Sequence, residues 1–150
     1  MDSKQLKILL ADDDLDDCIL FREALEEFKL SVRFTIVNDG DQLMKHLEKN
    51  IILPNVLFLD LNMPCKTGFE CLTEIKRTER LKSIPVIIFS TSFHRDVVDM
   101  LYEKGAQYYI QKPRDFYKLK KAIHQALTLT VEGEFIQPSI DKFVLCDFFN

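Results

Sequence analysis

Five polar residues that could do chemistry together each follow a short apolar segment of the sequence. In chain order they are Asp12, Asp13, Asp60, Ser90 and Lys112. Three carboxylates in one pocket repel one another, by roughly 4 kcal/mol for a pair about 4 Å apart at an effective dielectric near 20, unless a cation joins them. Mg²⁺ suits such a pocket because it takes oxygen ligands and leaves room for water and phosphate oxygens. We therefore expect a Mg²⁺ site in which Asp13 and Asp60 coordinate directly and Asp12 acts through water.

Lys112 and Ser90 add groups that could bind a phosphoryl group at this site. The lysine supplies a positive charge and the serine hydroxyl donates a hydrogen bond, each to a phosphoryl oxygen. A carboxylate can accept a phosphoryl group and form an aspartyl phosphate. Asp60 is the best candidate for the acceptor because it ends the most apolar segment, whereas Asp12 and Asp13 begin a loop crowded with further acids. The residues thus predict phosphoryl transfer to Asp60.

The apolar segments that carry these residues alternate with helical patterns. Strand-like segments occupy residues 6–11, 32–37, 56–59, 86–89 and 107–110, and apolar residues at helical spacing follow each of them. Such alternation predicts an α/β fold, a doubly wound parallel sheet with helices on both faces. Ligands of these sheets bind beyond the carboxyl ends of the strands. All the candidate residues follow predicted strands there.

Composition and charge narrow the classes of function. The chain has 150 residues, 47% of them hydrophobic and 29% charged, which fits one folded domain. The formal net charge of −4 argues against nucleic-acid binding. We expect a cytoplasmic protein without membrane contact, since no apolar run reaches membrane-spanning length and no signal-peptide pattern begins the chain. The four cysteines form no CxxC pair and are expected to be reduced thiols.

Several motifs of the sequence resemble those of the receiver domains of bacterial response regulators. They are Ile-Leu-Leu-Ala-Asp-Asp at 8–13, Leu-Asp-Leu-Asn-Met-Pro at 59–64 with Gly68, residues 85–90, and Lys112 with Pro113. Their order and spacing match the family over about residues 7–127. The resemblance implies a flavodoxin-like, five-stranded sheet of order 2-1-3-4-5. It also implies a phosphoryl donor, either a histidine kinase or a phosphotransfer protein, and a magnesium ion held by Asp13, Asp60 and the backbone carbonyl of Asn62.

The resemblance further implies a two-state switch biased by the phosphoryl charge. Ser90 is expected to move toward the phosphoryl group, and Tyr109 to turn inward and remodel the face of the fourth helix and fifth strand. Two alternatives stay open on sequence, because the neighbouring Thr91 could take the role of Ser90 and Tyr108 that of Tyr109. The resemblance also supports a cis bond between Lys112 and Pro113, which the residues alone do not.

Other polar residues near the site have simpler interpretations. Asp14, Asp16 and Asp17 could be further metal ligands, but acids in the first turn of a helix cap its free N–H groups and interact favourably with its dipole. We expect that structural role for all three. His94 is expected to be a surface or helix-start residue, since no second histidine or cysteine lies at metal spacing.

The last part of the chain forms a separate prediction. We assign residues 1–131 to the receiver domain and 132–150 to an apolar tail that packs on the domain or on a partner, which could be a second copy. Because no DNA-binding helix pair or enzymatic domain follows, the expected output is binding to a downstream protein that the sequence does not identify.

Three alternatives compete with this interpretation. A haloacid-dehalogenase-type phosphatase also forms an aspartyl phosphate, but its acid-x-acid motif follows the first strand, whereas here Asn62 replaces the second acid and the motif follows the third. A degenerate receiver would only bind proteins, yet every key residue is present. A nucleotide-binding flavodoxin-like protein is disfavoured, because the chain has only 4 glycines and no glycine-rich phosphate loop.

Overall fold

The structure, a computed structural model, describes residues 5–133 and 136–145 of the chain. Within that part, strands and helices alternate along the chain. The strands are β1 Leu6–Ala11, β2 Val32–Val37, β3 Val56–Leu59, β4 Val86–Ser90, β5 Tyr108–Gln111 and β6 Val144–Leu145. The α-helices are α1 Leu15–Glu26, α2 Gly40–Lys49, α3 Gly68–Arg77, α4 Arg95–Glu103 and α5 Phe116–Glu132. No helix in the described part is both long enough and apolar enough to cross a membrane.

The strands form one parallel sheet in the order β2-β1-β3-β4-β5-β6. The predicted flavodoxin-like sheet of order 2-1-3-4-5 is thereby confirmed, and the structure adds a sixth strand at its β5 edge. The sixth strand pairs with β5 and has only two residues. A segment this short carries no detectable alternation of apolar and polar residues, so its strand character depends on its contact with β5.

Both faces of the sheet are covered, which explains the apolar central strands. Along β3, Val56 and Phe58 pack with α1 and α5, whereas Leu57 and Leu59 pack with α2, α3 and α4. Strands buried on both faces need apolar side chains at every position rather than at alternate ones. Phe21 of α1 lies at the centre of the first face, where its ring contacts three other phenylalanines.

Two of the strands differ from their predicted limits. Strand β4 includes Ser90, and β5 begins at Tyr108 rather than at residue 107. Ser90 therefore lies on the last strand position instead of in the loop, although it remains at the carboxyl edge of the sheet. Strand ends are the least certain part of a pattern-based prediction because a single polar residue does not end the backbone pairing.

Residues 136–145 lie against the outer edge of β5 and the C-terminal end of α4. Phe143 is fully buried, its carbonyl accepts a hydrogen bond from the Tyr109 N–H at 3.0 Å, and its ring contacts those of Tyr102 and Tyr109. The Tyr102 hydroxyl donates to the carbonyl of Pro138 at 2.6 Å. The apolar Phe148 and Phe149 of the predicted tail lie outside the described residues.

Candidate functional site

Backbone pairing brings the acids after β1 and β3 to the same edge of the sheet. The N–H of Asp60 donates to the carbonyl of Ala11 at 2.9 Å, and the N–H of Asp12 donates to that of Val37 at 3.0 Å. Asp12 is fully buried and Asp60 is 6% exposed, whereas Asp13 reaches solvent. Parallel register thus places two buried acids and one exposed acid at the carboxyl end of the central strands.

The three acids form a compact set of oxygen ligands. One carboxylate oxygen from each of Asp12, Asp13 and Asp60 lies within 4.8 Å of the others. The pKa of Asp60 is raised to about 7, chiefly by burial; the attraction of Lys112 opposes this rise and the negative charge of Asp12 adds to it. Burial also raises the pKa of Asp12. Hard oxygen donors crowded at this distance are chemically suited to a divalent metal ion such as Mg²⁺.

Lys112 lies directly against these acids. Its Nζ donates to Oδ2 of Asp12 at 2.8 Å and to Oδ2 of Asp17 at 2.8 Å, and it lies 3.7 Å from Oδ2 of Asp60. The lysine side chain is 7% exposed. Burial alone would lower the pKa of Lys112, but the bonds to Asp12 and Asp17 outweigh it, so the pKa is raised and the ammonium keeps its charge.

The sequence does not predict the contact between Lys112 and Asp17. Asp16 and Asp17 both stand in the first turn of α1, and Asp14 caps that helix by accepting a hydrogen bond from the Asp17 N–H at 3.1 Å. The predicted capping role therefore holds for Asp14, whereas the Asp17 carboxylate engages Lys112. Only the rotation of α1 relative to β5 decides which acid of the turn meets the lysine, and local spacing carries no signal for that rotation.

The loop after Asp60 is held close to the acid. The N–H of Asn62 lies 3.4 Å from Oδ1 of Asp60 and donates to it, while the Asn62 side chain is exposed. Gly68 begins α3 against the same loop, and a Cβ on this residue would lie 2.2 Å from the carbonyl oxygen of Asp60. Only glycine allows this approach, which accounts for the place of Gly68 among the motifs.

Ser90 and Tyr109 lie on neighbouring strands and are linked through Ser92. The Ser90 hydroxyl is buried and lies 3.1 Å from that of Ser92, whereas Thr91 is exposed. The Tyr109 hydroxyl donates to the carbonyl of Ser92, and its side chain is 1% exposed. Tyr109 is thus already turned inward in this structure.

The geometry of Pro113 differs from what the resemblance supports. The described residues contain no cis peptide bond, so the bond between Lys112 and Pro113 is trans rather than cis. The Lys112 side chain contacts Asp12 with this bond in the trans form. Trans is the lower-energy isomer of a bond before proline, by about 0.5–1 kcal/mol. The main chain of Lys112 is held instead by its N–H, which donates to the carbonyl of Ser90 at 2.7 Å.

Comparison with known proteins places the chain in a family. Residues 8–124 match the model of the response regulator receiver domain. The chain belongs to this family. It is 36% identical over 121 residues to Response regulator Rcp1 of Synechocystis sp., covering 77% of this chain and 82% of that relative. The receiver-domain match and the similarity to Rcp1 thus each extend over most of this chain.

Two solved structures are similar in sequence and fold. The phosphorylated cyanobacterial phytochrome response regulator RcpA is 31% identical, with a TM-score of 0.82 over 91% of this chain and 100% of that chain. The Mn²⁺-bound form of response regulator Rcp1 is 33% identical, with a TM-score of 0.78 over 89% of this chain and 99% of that chain. Receiver domains bind a divalent metal, act as phosphoacceptor switches rather than as enzymes in the usual sense, and interact with kinases and downstream partners.

Proposed function

We propose that this receiver is a stand-alone switch in two-component signalling, phosphorylated on Asp60 by a histidine kinase or a phosphotransfer protein. The observation that carries the proposal is the buried Asp60 carboxylate, which lies within 4.8 Å of two further acids and 3.7 Å from the ammonium of Lys112. RcpA is described as a phytochrome response regulator, which favours a phytochrome-type kinase as the donor.

The transfer step follows from the placement of these groups. A carboxylate oxygen of Asp60 attacks the phosphorus of a phosphohistidine; the new O–P bond forms as the P–N bond breaks, and the imidazole leaves with its electron pair and takes a proton from solvent. Mg²⁺, held by Asp13, Asp60 and the carbonyl of Asn62 with Asp12 nearby, would offset the negative charge that accumulates on the phosphoryl oxygens. Lys112, whose Nζ lies 3.7 Å from Oδ2 of Asp60, would donate a hydrogen bond to one phosphoryl oxygen.

Ser90 and Tyr109 are the proposed route from the phosphoryl group to the surface. The Ser90 hydroxyl would exchange its contact with Ser92 for a phosphoryl oxygen, and Ser92 in turn accepts the hydrogen bond of Tyr109. Because Tyr109 is already buried, the change reaches the surface through the residues that cover it, and Phe143 of the C-terminal segment is one of them.

The protein-binding output is assigned to this same region of the molecule. In the proposed arrangement, residues 1–131 form the receiver and 132–150 form a tail that packs on the receiver or on a second copy. The net charge of −4 favours protein rather than nucleic acid as the partner, in a cytoplasmic setting. If the tail mediates self-association, the full chain should contain more copies per particle in solution than a chain that ends at Val131.

Intact-protein mass spectrometry after incubation with acetyl phosphate tests the central proposal. We expect one phosphoryl mass gain that requires both Mg²⁺ and Asp60, so that Asp60→Asn gains nothing while Asp16→Asn, an exposed acid nearby, is modified like the wild type. No gain in a folded wild-type protein that binds Mg²⁺ would instead support a degenerate receiver that only binds partners. Steady turnover of a small phosphate ester that is lost in Asp60→Ala would support a phosphatase.

A further inference from the structure

Lys112 is held by two acids at once, and one of them has no place in the chemistry derived above. Asp12 belongs to the acid cluster of the proposed metal site, whereas Asp17 lies on α1 and contacts Lys112 at 2.8 Å between Oδ2 and Nζ. Its carboxylate is 27% exposed, against 7% for the lysine side chain. The pair is therefore substantially shielded from solvent, unlike a surface ion pair.

We propose that Asp17 is a positioning residue that fixes the ammonium of Lys112 for phosphoryl transfer. An ammonium group has three N–H donors. Asp12 and Asp17 accept from two of them, and Asp60 at 3.7 Å is beyond hydrogen-bond distance of the nitrogen. Among the residues that the structure describes, the third donor has no acceptor within hydrogen-bond distance, and a phosphoryl oxygen on Asp60 is the group that would accept from it. This inference rests on the proposed function of Asp60.

A second anchor matters because a lysine side chain is long and flexible. With Asp12 as its only acceptor, the ammonium could pivot about a single contact and would lose rotamer entropy on meeting the phosphoryl oxygen. With Asp17 as well, the nitrogen is fixed before the donor arrives. The helix cap does not depend on the Asp17 side chain, because Asp14 accepts from the backbone N–H of Asp17. Changing the carboxylate therefore leaves the helix start in place.

The neighbouring Asp16 provides a matched control. It lies in the same first turn of α1 and carries the same charge, but its side chain is exposed. A general effect of negative charge near the site, or of charge on the helix dipole, would therefore be shared by both acids. An effect that depends on contact with Lys112 would be specific to Asp17.

The test is the rate of phosphorylation by acetyl phosphate at saturating Mg²⁺, followed by intact mass, in the full chain. We expect Asp17→Asn, which keeps the shape but loses the charge, to slow the reaction about three- to tenfold, as befits a partly shielded charge-assisted hydrogen bond. Asp17→Ala should be slower still. Asp17→Glu should recover part of the rate, which a purely structural role would not produce, and Asp16→Asn should match the wild type.

Each outcome decides between definite alternatives. Equal slowing in Asp16→Asn and Asp17→Asn would replace positioning with a general charge effect. A wild-type rate in Asp17→Asn, or no recovery in Asp17→Glu with melting temperatures unchanged, would overturn the proposal while leaving the function of Asp60 intact. A wild-type protein that gains no phosphoryl group would overturn both proposals.

Discussion

Replacing Asp60 with asparagine should stabilise the metal-free protein at pH 8, although it removes the proposed phosphoacceptor. The pKa of Asp60 is about 7 in the folded protein against an ordinary value of 3.8, chiefly because the carboxyl group is buried. At about 1.36 kcal/mol per pKa unit, that difference corresponds to roughly 4 kcal/mol of lost stability once the group is fully ionised. This shift already includes the opposing attraction of Lys112, but asparagine buries an amide NH2 group that needs hydrogen-bond acceptors of its own, so the net gain on substitution should be about 1–3 kcal/mol.

The pH dependence follows from the direction of this shift. The folded-state pKa of Asp60 is raised, so its contribution to stability is fully present below about pH 4, where the unfolded carboxyl is protonated as well, and is lost as pH rises through about 7. The advantage of Asp60→Asn should therefore grow by roughly 1–3 kcal/mol between about pH 5 and pH 8. Asparagine carries no charge and has no such dependence.

Urea unfolding in EDTA at pH 5 and pH 8 measures this difference directly. We expect Asp60→Asn to unfold at higher urea than the wild type at pH 8, with a smaller difference at pH 5. Added Mg²⁺ should stabilise the wild type more than Asp60→Asn, which has lost a ligand. Asp16→Asn, which removes the charge of an exposed acid in the first turn of α1, is the control for loss of a carboxylate elsewhere. If Asp60→Asn were less stable than the wild type at pH 8 without metal, the account of a repulsive buried cluster would be wrong.

Three further substitutions test the surroundings of the site. Lys112→Ala should destabilise the metal-free protein by about 3 kcal/mol at pH 8 in urea unfolding, because it leaves buried carboxylates without their cation; a loss below 1 kcal/mol would contradict this. Phe143→Ala should cost about 2–4 kcal/mol and speed hydrogen exchange at the Tyr109 N–H, which donates to the carbonyl of Phe143; unchanged exchange would show that the segment stays docked. Gly68→Ala should lower the melting temperature and slow acetyl-phosphate labelling, since its Cβ would lie 2.2 Å from the carbonyl of Asp60; wild-type labelling would show that the loop yields freely.

Much of the fold could be predicted because its signals are local. Strands β1, β2 and β3 have the limits that their apolar runs predict. The acids and Lys112 could be grouped without coordinates, since parallel strands bring their carboxyl ends to one edge of the sheet. The structure places Asp12, Asp13, Asp60 and Lys112 together there.

What the sequence does not predict depends on contacts between distant segments. Strand β6 forms because residues beside Phe143 pair with the outer edge of β5. Asp17 accepts a hydrogen bond from Lys112, which is 95 residues away in the sequence. Asp16 and Asp17 carry the same charge and both lie in the first turn of α1, where either acid interacts favourably with the helix dipole. Only the packing of α1 against α5 and the sheet distinguishes them, directing Asp17 toward the lysine and Asp16 toward solvent. A residue that acts through another residue's position therefore leaves no motif of its own.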